Sequence, residues 1–422
     1  MSSAGVTPPI RQTAIYLAGL AGRRPRVPVD PGALERAAQR SMSPRAYAYV
    51  AGGAGREETV AANRAALERW RIVPRVLRDV SRRDTTIELF GQRLPAPLFL
   101  SPIGVLELAH RDADLAVARA AASLGIPAAF SSQASVPMEQ CAAAMGAAPR
   151  WFQLYWSKDD ELVASFVSRA ERCGCSVLLV TLDTTFLGWR ARDLELGYLP
   201  FLYGKGIAQY TSDPVFMRKL GEPLDGPAPT RARPSLSALR AALAMARAVP
   251  GDTITNLRRG TALSAVRRFI ATYSRPSLTW SDLAWLRQRT RLPIVLKGVL
   301  HADDARRALD AGMDGVMVSN HGGRQVDGAV AAADALSPVV DAVSGRVPVL
   351  FDSGVRGGAG VVRALSLGAR AAGLGRPYVY GLALAGEEGV REVVSNVLAE
   401  LELTMALAGR SAVSELGRDV LA

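Results

Sequence analysis

Pro-Ile-Val-Leu-Lys-Gly-Val at 293–299 is an apolar run of strand length that delivers a lysine at its end. A helix-like stretch, Ala302–Ala311, follows it, and then Gly-Val-Met-Val-Ser-Asn at 315–320, a second apolar run with a polar end. Near-continuous apolar runs, rather than alternating ones, are what parallel strands covered on both faces require. The same unit recurs outward in both directions. Before it lie Pro97–Gly104, Pro127–Gln133, Arg150–Trp156 and Ser176–Asp183, with helix-like Asp112–Leu124 and Asp159–Cys173 between them. After it lie Pro348–Gly354 and Ala371–Pro377. Strand then helix, eight times over, predicts an α/β fold of the (β/α)8 TIM-barrel type, with an open doubly wound sheet as the alternative.

The C-terminal ends of these runs carry the polar residues: Gly104, Ser131, Gln153 with Tyr155, Thr181 with Asp183, Lys297, Ser319 to His321, Asp352, and Gly375 with Arg376. In a (β/α)8 barrel that end is the active-site face. Three parts lie outside the repeat. Residues 1–30 read as a Pro-rich arm without a clear element, ahead of a single barrel domain over 31–422. An N-terminal helical extension follows, with Ser43 as N-cap, Pro44 at the first helical position and Gly52-Gly53 as the stop. Asp84–Leu94 reads as a hairpin closing the barrel bottom. Residues 187–276 interrupt the barrel after strand 4, too long for an ordinary loop, and read as a lid or insertion over the active-site face.

The net charge of +12 is concentrated: between Arg231 and Arg275 nine arginines face one acid, Asp252. A charge confined to one segment argues against a nucleic-acid groove across the fold. Within it, Ala-Leu-Arg-Ala-Ala-Leu-Ala-Met-Ala-Arg-Ala-Val at 238–249 predicts a helix whose apolar face packs on the same protein. No apolar run approaches the roughly 18–20 residues needed to cross a bilayer. The start shows no charged region followed by an apolar core, so a cytoplasmic protein without a secretory signal is expected. Cys141, Cys173 and Cys175 form no CxxC pair and are expected to be structural and reduced, with no metal site.

The densest chemical signal is Ser-Asn-His-Gly-Gly-Arg-Gln at 319–325. An imidazole able to take a proton near neutral pH stands three residues from a guanidinium able to clamp a carboxylate. Asp183 ends strand 4, where it can reach the imidazole and stabilise its charged form. Lys297, buried at a strand end, calls for an anion or an electron-rich ring over it. Asp352-Ser353-Gly354-Val355-Arg356 and Gly373-Leu374-Gly375-Arg376-Pro377, after the last two strands, make a phosphate site. No GxGxxG opens a helix after an early strand, which excludes the usual nicotinamide fold.

These motifs resemble those of the FMN-dependent 2-hydroxy-acid oxidising enzymes, the family of glycolate oxidase, lactate oxidase, mandelate dehydrogenase and lactate 2-monooxygenase. The resemblance rests on Tyr49 in AYVAGGAG, SPIG at 101–104, WFQLY at 151–155, TLD at 181–183, Lys297-Gly298, SNHGGRQ, DSGVR and GLGRP. It covers about residues 33–204 and 277–410. Segments such as RWRIVPRVL, LPAPLFLSPIGV and TLDTTFLGWRARDL are similar to bacterial lactate 2-monooxygenase in particular. SNHGGRQVDG instead follows the oxidases and dehydrogenases, and the insertion is longer by the arginine-rich stretch.

The resemblance implies FMN as cofactor, a small L-2-hydroxy acid as substrate, oxygen as acceptor and a homo-oligomer, tetrameric or octameric. The implied outcome is lactate to acetate, carbon dioxide and water. An oxidase releasing peroxide, or a dehydrogenase passing electrons to a quinone or protein, is the alternative. Tyr49, Arg324 and Arg190 would bind the substrate carboxylate, with Gly104 beside the substrate. His321 would take a proton, Asp183 would stabilise its charged form, and Tyr155 would hydrogen-bond the substrate oxygen. The flavin would lie on Pro102, Ile103 and Gly104, with contacts from Ser131, Gln153, Thr181 and Ser319. Lys297 would face its N1/O2 edge, and Asp352, Gly354, Arg356, Gly375 and Arg376 would line the ribityl phosphate end. Whether the electrons leave as a hydride or after a carbanion forms stays open. Gly104 is expected to leave room for oxygen and a retained keto acid.

Overall fold

The computed structural model describes residues 8–224 and 235–422. Eight parallel strands close into a barrel: β1 (Leu98–Leu100), β2 (Ala128–Phe130), β3 (Arg150–Tyr155), β4 (Leu178–Thr181), β5 (Ile294–Lys297), β6 (Gly315–Val318), β7 (Val349–Phe351) and β8 (Ala371–Leu374). Each strand pairs with its sequence neighbour, and β8 closes on β1 through Gly373 opposite Phe99. The fold is a (β/α)8 TIM barrel, as its strand grammar predicts, and the open sheet is excluded.

The two-residue period of a strand explains how apolar runs build both core and site. On β3, Phe152 and Leu154 face the surrounding helices, whereas Trp151 joins Phe99, Leu179, Val295, Met317 and Leu350 inside the barrel. Two residues further on, the same inward faces carry Gln153, Thr181, Lys297 and Ser319. A packed apolar layer thus supports a polar one. The hairpin Ile87–Leu89/Gln92–Leu94 plugs the opposite end, with Ile87, Leu89 and Leu94 packed against that apolar layer.

The helix Pro44–Ala51 is N-capped by the Ser43 hydroxyl and stops at Gly52, as expected. The arm corrects one expectation. Pro8–Leu20 is helical rather than without an element, and Arg11 ties it to Glu392 and Asn396 of the C-terminal helix Arg376–Leu407. Residues 1–7 of the arm lie outside the described residues. Within the insertion, the helix expected at 238–249 is present as Leu236–Ala248, followed by Thr253–Arg259 and Thr261–Thr272. Arg231 and Arg233 lie outside the described residues. Cys141 and Cys175 are buried free thiols whose pKa values burial pushes up, in keeping with a structural role.

Candidate active site

The ends of the strands open into one cleft, with a cavity of about 110 Å³, at the face opposite the hairpin. It is lined by Tyr49 from the helix Pro44–Ala51, by residues at or after the C-terminal end of every strand, and by Arg190 and Tyr273 from the two ends of the insertion. Both ends of the insertion therefore contribute to the wall of the cleft.

At its centre His321 Nδ1 stands 2.7 Å from Asp183 Oδ1. The carboxylate accepts a hydrogen bond from Nδ1–H, so Nε2 presents a lone pair toward Tyr155 Oη, 3.4 Å away. His321 adopts φ +58°, a left-handed conformation that an imidazole holds only when its surroundings fix it. They do: its N–H donates to Ser319 Oγ (3.1 Å), and the Gly322 N–H donates to Ser353 Oγ (3.0 Å). Burial lowers the imidazole pKa from its ordinary value, and the neighbouring Lys297 lowers it further, outweighing the pull of Asp183 in the other direction. The ring is consequently neutral and able to act as a base. The Asp183 carboxyl is buried, but His321 and Lys297 together hold it well below the usual carboxylate range.

Two residues of this centre escaped the sequence reading. Thr184 donates its hydroxyl to Asp183 Oδ1 (3.0 Å). Gly298, at φ +105°, lets Asp183 approach: a Cβ there would stand 2.8 Å from the Asp183 Cβ. Both sit beside residues already singled out, and adjacency to Asp183 and Lys297 was the only signal that could have found them.

Arg324 Nη1 donates to the carbonyls of Tyr49 and Gly52, and its guanidinium lies 4.9 Å from the Tyr49 ring centroid. Arg190 lies 5.8 Å from the same ring and is held by the carbonyl of Arg324 and the side chain of Gln325. Burial, reinforced by Arg190 and Arg376, pulls the Arg324 pKa down to about 9. A guanidinium stays protonated in such a site, so the depression marks a buried cation short of an anion.

The phosphate-like end is less uniform than expected. Arg356 Nη1 donates to the Val355 carbonyl, but its buried Nε has no partner among the described residues, and burial lowers its pKa to about 10. Arg376 instead spends one hydrogen bond on each of three carbonyls, those of Val50, Gly322 and Gly52. It straps the loop that bears His321 to the helix that bears Tyr49. The helix start after β7 is already capped, since Glu400 accepts from the Gly358 and Ala359 N–H groups. Gly375 faces open cleft: a Cβ there would meet only Ile103, at 3.8 Å.

Pro102, Ile103, Gly104, Ser131, Gln153, Lys297, Asp352 and Gly354 line the cleft. Thr181 and Ser319 stand behind it, Thr181 accepting from Gln153 Nε2 (3.0 Å) and Ser319 from Lys297 Nζ (2.9 Å). Gly104 corrects another expectation. Its missing methyl leaves no room at the cleft, because a Cβ would lie 2.9 Å from the Gln133 Cβ and 3.0 Å from the Gln133 carbonyl oxygen. The glycine permits close passage of two loops.

Comparison with known proteins agrees with this geometry. Residues 38–422 match the FMN-dependent dehydrogenase family. The chain belongs to that family. It is 42% identical over 411 residues to the FMN-dependent alpha-hydroxy acid dehydrogenase qulF of Penicillium citrinum, covering 97% of this chain and 94% of the relative. It is 38% identical over 383 residues to the L-lactate oxidase of Lysinibacillus sphaericus, covering 91% of this chain and 90% of that one. A crystal structure of mandelate oxidase with (S)-4-hydroxymandelic acid superposes with TM-score 0.77 at 36% identity, covering 94% of this chain and 98% of the other.

The enzyme is thus an FMN-dependent 2-hydroxy-acid oxidoreductase, and the cleft suits that cofactor. Five cationic side chains, Arg190, Lys297, Arg324, Arg356 and Arg376, line it against Asp352 in the lining and Asp183 behind. The surplus of three positive charges suits a phosphate dianion and one carboxylate. The unpartnered Arg356 Nε is a donor waiting for an oxygen.

Proposed function

We propose that the protein oxidises a small L-2-hydroxy acid to the 2-keto acid with oxygen as acceptor, in the manner of a lactate 2-monooxygenase. The observation that carries the oxidation is the placement of His321, with Nδ1 against Asp183 and the ring in a cleft lined by Tyr49, Arg190 and Arg324, where burial lowers its pKa. Arg324 and Tyr49 bind the substrate carboxylate, with Arg190 beside them. That grip sets the hydroxyl-bearing carbon near Nε2 and near Tyr155 Oη, so binding energy at one end orients chemistry at the other. His321 Nε2 takes the substrate proton, and Asp183 stabilises the imidazolium that forms. Tyr155 is held protonated, because burial pushes its pKa far up, so it donates to the substrate oxygen.

In this reading FMN supplies the two-electron acceptor. Pro102 to Gly104 and Gln153 support it, Lys297 faces its ring, and Arg356 with Gly354 and Gly375 takes the phosphate. Residues 31–422 act as one FMN-binding unit, with 187–276 as its lid.

The fate of the product divides two outcomes. Retention of pyruvate while oxygen reacts gives acetate, carbon dioxide and water; early release gives pyruvate and hydrogen peroxide. The monooxygenase outcome rests on the likeness of segments such as TLDTTFLGWRARDL. The similarity to an L-lactate oxidase favours the second. Anaerobic reduction by a panel of L-2-hydroxy acids, followed by admission of air and assay of acetate, pyruvate and peroxide, tests both levels. Absence of reduction by any of them overturns the oxidation itself. Stoichiometric peroxide without acetate from lactate overturns the monooxygenase outcome alone.

A further inference from the structure

The insertion helices pack on the protein by one side only. Ala246 and Val249 at the end of Leu236–Ala248 are buried, as are Ala262, Ala265, Val266 and Phe269 of Thr261–Thr272. The other side is exposed and mixes aliphatic with charged side chains. Leu236, Leu239 and Ile254 are 73%, 65% and 60% exposed, and Leu257, Leu263 and Ile270 are exposed as well. Arginines interleave with them at helical spacing: Arg240 beside Leu236 and Leu239, Arg258 beside Ile254 and Leu257, Arg267 between Leu263 and Ile270. Arg240, Arg247, Arg258, Arg259 and Arg267 are exposed and form no ion pair with a described residue. The ten residues 225–234 add two arginines and one aspartate by sequence, so the local charge stays strongly positive whatever their placement.

We infer that this face of the insertion docks on an anionic lipid surface. Aliphatic side chains alternating with arginines on short helices match the boundary between acyl chains and anionic headgroups. Arginine stems lie along apolar surface while the guanidinium reaches phosphate oxygen. A nucleic-acid surface would interleave its cations with aromatic rings for base stacking, and the exposed large apolar residues of these three helices are all aliphatic. No helix among the described residues is long and apolar enough to cross a membrane, so the contact is one of lying on the surface. The docked face belongs to the same insertion that walls the cleft with Arg190 and Tyr273.

The test is co-sedimentation of the FMN-loaded enzyme with phosphatidylcholine vesicles, with and without phosphatidylglycerol, at low and high salt. The expected result is binding only where phosphatidylglycerol is present, weakened by salt. Arg258→Ser with Arg259→Ser should lower that binding by at least about tenfold, and Leu239→Asp with Ile254→Asp should do the same. Both double variants should keep wild-type flavin reduction, because they touch solvent and not the cleft. Equal binding to neutral vesicles, or no binding to either, overturns the inference. So does a fall in assembly size in the same variants, which would show a second copy of the chain on this face. Tighter binding to a DNA duplex than to anionic vesicles also overturns it.

Discussion

Asn63 and Asn320 exchange a reciprocal pair of amide hydrogen bonds, 2.8 Å from Asn63 Nδ2 to Asn320 Oδ1 and 2.7 Å in return. Asn63 Oδ1 also accepts from the Ala332 N–H (3.0 Å), and the Asn63 carbonyl abuts Gly354, where a Cβ would come within 2.6 Å of it. One buried side chain on the helix Glu58–Arg69 therefore braces the residue before His321 and touches the turn assigned to the phosphate. Asn63→Ala leaves the Ala332 N–H without its partner and takes one hydrogen bond from each end of the Asn320 amide, which keeps the Val330 carbonyl and the Gly323 N–H, so a loss of about 1–3 kcal/mol in stability is expected. Denaturant unfolding checks it, and flavin reduction should slow in parallel as the φ +58° conformation of His321 relaxes.

His321→Ala should leave a yellow protein whose reduction by substrate is slower by on the order of 10^2–10^4. Stopped-flow reduction under nitrogen measures it. Near wild-type reduction would remove His321 from the proposal.

The pH dependence has a definite sign. His321 acts as base only when neutral, so activity is full above its pKa and lost as pH falls through it. Because burial and Lys297 lower that pKa, the acidic limb of kcat/KM should lie below the ordinary imidazole value of about 6.5. Lys297→Met removes one of the lowering influences and should move the limb upward. A limb that stays in place would show that Lys297 does not act on the imidazole.

Arg324→Lys should raise KM and slow reduction by on the order of tenfold or more, since an ammonium cannot keep the Tyr49 and Gly52 carbonyls and still present a fork to a carboxylate. Steady-state and single-turnover kinetics together separate the two effects.

Gly104→Ala must displace Gln133, at a cost of about 1–3 kcal/mol. Any change in the ratio of acetate to peroxide then acts through Gln133, itself a lining residue of the cleft. Gln133→Ala should shift the ratio in the same direction, and an unchanged ratio in both variants would place product partition elsewhere.

The barrel and most of its site were legible because strand ends announce themselves. Lys297, Asp183 and His321 stand at or just past the end of an apolar run, and the two-residue period places Gln153, Thr181 and Lys297 on one inward face. What stayed hidden depends on contacts between distant segments. Nothing local marks Asn63, whose partner lies 257 residues on. Arg376 was singled out because it follows a glycine turn, but the three carbonyls it also serves come to it only in the folded chain. Gly104 was misread for the same reason: its neighbour in space is Gln133, on the next loop. The helix Pro8–Leu20 lacks a strong apolar stripe, and its anchors, Glu392 and Asn396, lie at the other end of the chain.

The hairpin plug at the foot of the barrel makes this a vessel with a single mouth. Ile87, Leu89 and Leu94 seal one end against Trp151 and Phe99, so among the described residues the cleft opens on the face that Tyr273 and Arg190 line. A cleft with one such opening would take substrate in and let product out by the same way, so slow product exit would hold back turnover however fast the chemistry below it ran.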